Sequence, residues 1–197
     1  MTREGLVAGP LLLATASGAW FTAPVLMAVA GVLALGFLYC QARILRASRG
    51  IPAWRQAEIV PFIFATGLAE GAGLYLAVGS QSAWLASLAL AACLVREGAW
   101  FAYTRGLARS GAAAPALAVL SSRQTKALRL LQVTALAGLA LSLALGVNAG
   151  IALAGLLAAI GGWGIKHVLI TRAAFTRSAS IPFTPVRGRG ESRTLAE

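Results

Sequence analysis

Long apolar runs alternate with short, mostly basic ones along this chain. Six runs are nearly free of charge, at roughly 6–21, 25–45, 59–79, 83–103, 128–147 and 151–170. Most reach the ~20 residues that an α-helix needs to cross a bilayer. The first is shorter, and Thr2, Arg3 and Glu4 mark its start. Pro24 separates the first two runs, and a tight turn is expected at 148–150 between the last two.

The charges follow the same rhythm. Arg43, Arg46, Arg49 and Arg55 follow the second run. Arg105, Arg109, Arg123 and Lys126 follow the fourth. Arg172, Arg177, Arg187, Arg189 and Arg193 follow the sixth. The loops near Pro24, Gln81 and Asn148 carry no charge. Basic loops stay on the cytoplasmic side, so both termini and both long loops are expected there. A missed helix would break this alternation. The expected fold is an all-α, polytopic transmembrane bundle of six membrane-spanning helices over residues 1–177. Residues 178–197 are rich in Pro, Gly and Arg and are expected to form an irregular cytoplasmic tail. The Ala-rich stretch 111–120 is expected to lie on the membrane surface within the second long loop. The first run lacks a basic leader and an A-x-A cleavage site, so it does not read as a signal peptide.

Composition agrees. Apolar residues make up 58% of the chain and charged ones 12%, far too little polar surface for a soluble domain. The net charge of +11 would suit nucleic acid, but the basic side chains sit in short loops between apolar runs. The expected partner is the lipid bilayer, with no nucleic acid. Cys40 and Cys93 both lie in apolar runs, show no metal-ligand spacing, and are expected to be small buried residues. Two cysteines cannot hold an iron–sulfur cluster in this chain. His167 is the sole histidine, which rules out bis-histidine haem. A His–Met haem would need Met27, placed near the opposite side of the membrane. No metal site and no catalytic nucleophile–base set is expected.

Candidate chemistry comes from ionisable groups inside the apolar runs, where they are costly and mark function. These are Glu70, the neighbours Arg96 and Glu97, and Lys166 with His167. Glu70 lies ~16 Å along its helix, near mid-bilayer, and Arg96 falls in a neighbouring layer. Two readings of Glu70 follow: it is neutralised by Arg96 as a structural ion pair, or it accepts protons beside a ligand. Gly67, Gly71 and Gly73 would let a helix or a flat ligand approach its backbone. Trp100 and Tyr103 share the helix face of Arg96. Trp100 is a candidate wall for a planar molecule, whereas Tyr103 reads as part of an interfacial aromatic belt. Lys166 and His167 sit near the cytoplasmic end and are expected to snorkel and anchor.

Three stretches resemble a known family. They are "LYCQARILRASRGIPAWR" at 38–55, "TGLAEGAGL" at 66–74 and "GGWGIKHVLITRAAFTRSASIPFTPVRG" at 161–188. Their residues and order are similar to the membrane-anchor subunits of the dimethyl sulfoxide reductase and polysulfide reductase family. The nearest flavour is the membrane subunit of phenylacetyl-CoA:acceptor oxidoreductase. That family has about eight helices, and a motif before its third matches "MTREG" at 1–5, so the resemblance implies that the first two helices are missing here. It also implies a bacterial inner-membrane protein that binds quinone or menaquinone. Such a subunit exchanges electrons with a ferredoxin-like iron–sulfur subunit and a molybdopterin catalytic subunit. Glu70, Arg96, Glu97 and Trp100 would then handle quinone and its protons. Two alternatives stand beside this: a purely structural anchor, and a small transporter, which would want inverted repeats or broken helices.

Overall fold

The computed structural model describes residues 24–48, 50–79, 81–110 and 114–174. The first apolar run and the proposed tail lie outside the described residues. Within them the protein is all-helical, with no strand. The elements are α1 (Pro24–Ala47), α2 (Ile59–Val78), α3 (Ala83–Arg109), the short α4 (Ala114–Leu120), α5 (Arg123–Leu145) and α6 (Asn148–Thr171). All but α4 are long and apolar enough to cross a membrane, giving five candidate spans.

Local chemistry sets the helix ends. The Ser82 hydroxyl caps α3 by accepting from the Leu85 N–H at 3.4 Å, and Ser122 caps α5 by accepting from Thr125 N–H at 3.3 Å. Pro61 stands in the first turn of α2, where its missing N–H leaves no intrahelical bond unmade. α5 stops at Gly146, whose φ of 67° is left-handed, while Val147 N–H donates back to Ser142 O at 2.9 Å. The turn expected at 148–150 therefore falls just upstream, and Asn148 already opens α6. Glycine decides this, because it alone enters the left-handed region without strain.

α6 packs on α2 and α5, α2 also packs on α3, and α1 leans on α2. At the α2–α6 crossing, a Cβ built on Gly73 would strike the Gly155 carbonyl, and one on Gly155 would lie 2.5 Å from the Gly73 oxygen. Small residues at this point bring two backbones together, as helices do in lipid. Gly67 instead receives the Leu38 side chain of α1, and Gly71 faces open space. The glycines flanking Glu70 thus serve three different surroundings.

The core is layered along the bundle. At the end carrying the basic loops, Ile59, Phe62, Tyr103, Leu107, Ile165 and Leu169 pack together. At the other end, Leu76, Ala86, Leu139 and Ile151 do so. Between them the buried apolar residues among those described are small or slim, Ala69, Cys93, Ala135 and Ala158. α4 does not stand apart from the bundle: Ala116 is buried in the basic-end cluster, and Leu117 and Leu120 pack against it. Cys93 is buried as expected, but Cys40 is exposed on α1. Among the described residues α1 packs mainly on α2, and large apolar side chains along it, such as Val25, Val32 and Ile44, are exposed.

Candidate functional site

The thin middle layer makes room for polar side chains, and four helices supply them. Glu70 projects from α2 towards Gly162 of α6, where an added Cβ would lie 2.7 Å from Glu70 Oε1. One turn further along α6, Lys166 Nζ donates to Glu70 Oε2. Glu70 is therefore paired with Lys166, not with Arg96. The expected snorkelling of Lys166 is overturned by the same contact. A carboxylate placed in apolar surroundings is costly without a partner, and Gly162 opens the path by which Lys166 reaches it.

Arg96 is fully buried and turns to its own neighbour. Its Nη2 lies 3.2 Å from Glu97 Oε1, and its Nη1 donates to the Ala158 carbonyl at 3.4 Å. Glu97 is bridged on its other side by Arg129 of α5. Arg129 also donates to Gln132 Oε1 at 2.6 Å, and its guanidinium lies 5.0 Å from the Trp100 ring centre. Sequence reasoning did not select Arg129 or Gln132. The signal was present, since both stand in the first turns of the apolar run at 128–147.

Among the described residues the layer holds three cations, Arg96, Arg129 and Lys166, against the two carboxylates Glu70 and Glu97. Two of its buried polar atoms, Glu70 Oε1 and Gln132 Nε2, have no hydrogen-bond partner among the described residues. Gln132 packs against Gly161, next to the glycine that receives Glu70. α6 is thus the spine of the layer. Its Ala158 carbonyl, its two adjacent glycines and Lys166 each meet a polar group from another helix.

Trp100 and Tyr103 do share a stripe, but the stripe is filled. Tyr103 stacks on Phe62 with centroids 5.5 Å apart, and its hydroxyl donates to the Ala53 carbonyl at 2.9 Å. Tyr103 is completely buried, so the interfacial-belt reading does not hold for it. Trp100 lies 5.3 Å from Phe62 and closes the same aromatic cluster.

Open space lies on the other side of Lys166. A groove of about 430 Å³ runs between the C-terminal parts of α1 and α6, with Ile63 of α2 on its floor. Gln41, Trp163, Lys166, His167 and Thr171 line it. The Trp163 and His167 rings are stacked 5.9 Å apart, and the Thr171 hydroxyl donates to the His167 carbonyl at 2.7 Å. Lys166 therefore touches both the groove and the part-buried Glu70.

Compared with protein-family models, with curated proteins and with solved structures, the chain matches none.

Proposed function

We propose that this chain is the quinone-reactive membrane subunit of a molybdopterin and iron–sulfur oxidoreductase complex in a bacterial inner membrane. It spans the bilayer six times with both termini cytoplasmic, and it anchors an iron–sulfur subunit and a molybdopterin catalytic subunit. The three family-like stretches support this reading, and two of them carry one ion pair of the polar layer. "TGLAEGAGL" supplies Glu70, and "GGWGIKHVLITR" supplies its partner Lys166 and both receiving glycines.

The observation that carries it is the placement of Glu70. A carboxylate is held midway along a membrane helix, one oxygen on a lysine and the other without a partner among the described residues. Interconverting quinone and quinol moves two electrons and two protons. The electrons pass between the quinone and the iron–sulfur subunit. The protons need groups inside the bilayer that can take and release them, and Glu70 with Lys166 meets that need. Glu97, shared by Arg96 and Arg129, is a second carboxylate in the same layer.

The test is quinol-dependent turnover of the complex purified from native membranes. Glu70→Gln keeps the shape and removes the proton-accepting group. Turnover is expected to fall by about a hundredfold, the lower range for loss of a general base, with subunit composition unchanged. Wild-type turnover in this variant would remove Glu70 from the mechanism. One observation favours a purely structural anchor: both carboxylates already have cationic partners. That reading predicts unchanged turnover and no saturable quenching of a fluorescent quinol analogue.

A further inference from the structure

We propose that the groove between α1 and α6 is where the quinone ring sits, with the Lys166 ammonium bridging a ring oxygen and Glu70. This rests on the quinone-reactive reading above and gives it a location.

The groove opens to the bilayer. Its rim residues Trp163 and Ile44 are 67% and 49% exposed, and both lie within candidate membrane spans. An amphiphile can therefore enter sideways from lipid with its tail left among the acyl chains. The volume of about 430 Å³ falls within the range of small-molecule sites, roughly 300–1,000 Å³. The lining suits a flat ring with polar edges. Trp163 offers a broad aromatic face. His167, Gln41 and the Thr171 oxygen offer hydrogen-bonding groups, and Ile63 closes the floor.

Charge separates this occupant from a lipid phosphate. Lys166 is the only Lys or Arg lining the groove among the described residues, and Glu70 already matches its charge. A neutral dione or diol gains hydrogen bonds from the ammonium's remaining N–H groups. A phosphate would find no unmatched lysine or arginine there. The same lysine gives the groove its connection inward, because among the described lining residues it is the one that also bonds the part-buried Glu70 carboxylate.

The experiment uses the full chain in lipid nanodiscs, titrated with the fluorescent quinol analogue 2-heptyl-4-hydroxyquinoline N-oxide. Saturable binding to the unaltered chain is expected. Trp163→Ala/His167→Leu is expected to weaken it at least tenfold, while Trp84→Leu, an exposed change at the far end of α3, leaves it unaltered. Equal binding by the groove variant overturns the location and leaves the quinone reading standing. No saturable binding to the unaltered chain overturns both. Loss of probe binding when zwitterionic nanodisc lipid is replaced by anionic lipid assigns the groove to a headgroup and overturns the proposal. Photolabelling the unaltered chain with an azidoquinone needs no variant. Labels on 41–45 and 163–171 support the groove, and labels confined elsewhere overturn it.

Discussion

Lys166 on α6 holds Glu70 on α2 one helical turn from Gly162, the residue whose missing side chain gives the Glu70 carboxylate its room. The pair couples a lysine at the edge of a groove to a carboxylate in the middle of the bundle. Each partner keeps the other from being an isolated charge in apolar surroundings.

That mutual dependence is measurable. Lys166→Met leaves Glu70 without its partner and is expected to cost about 1–3 kcal/mol, below the scale for a fully buried pair because the two side chains are 21% and 17% exposed. Glu70→Gln in the same chain removes the stranded charge, so the double variant should recover most of the loss. Thermal unfolding in detergent of the two single variants and the double one gives the coupling. Additive losses would mean that the two side chains do not depend on each other.

Gly162 tests the geometry without touching either charge. In Gly162→Ala the new Cβ would lie 2.7 Å from both Cγ and Oε1 of Glu70. The carboxylate must swing away, and its contact with Lys166 should loosen. Quinol-dependent turnover is expected to fall in the same direction as for Glu70→Gln. Full turnover would show that the seat of Glu70 is not needed.

Two nearby glycines should behave oppositely. Gly73→Ala drives a methyl group into the Gly155 backbone, which cannot turn aside, and is expected to destabilise by roughly 1–3 kcal/mol. Gly71→Ala meets nothing within 4 Å and should be neutral or stabilising by up to about 1 kcal/mol through helix propensity. The difference in unfolding midpoint between the two variants is the readout.

Tyr103→Phe keeps the ring on Phe62 and leaves the Ala53 carbonyl without its donor. A buried acceptor without a partner costs about 1–3 kcal/mol. A lowered unfolding midpoint is expected, whereas a tyrosine at the membrane surface would show almost no change.

The sequence by itself determined the all-helical, membrane-spanning class and the five spans that lie within the described residues. Apolar runs of bilayer length must become helices, because hydrocarbon cannot hydrogen-bond the backbone. It also marked Glu70, Arg96, Glu97 and Lys166, since a charge inside such a run stands out against its neighbours. What it could not give was who pairs with whom. Depth placed Arg96 near Glu70, but depth says nothing of direction around a helix. Arg96 turned to Glu97, and Lys166 reached Glu70 through an opening that exists only because Gly162 faces α2. Arg129 was not singled out at the start of its apolar run, and only the packing of α5 beside α3 brought it to Glu97. Tyr103 looked interfacial until the connection between α1 and α2 placed the Ala53 carbonyl over it. These are contacts between segments far apart in the chain, and only tertiary packing decides which faces meet.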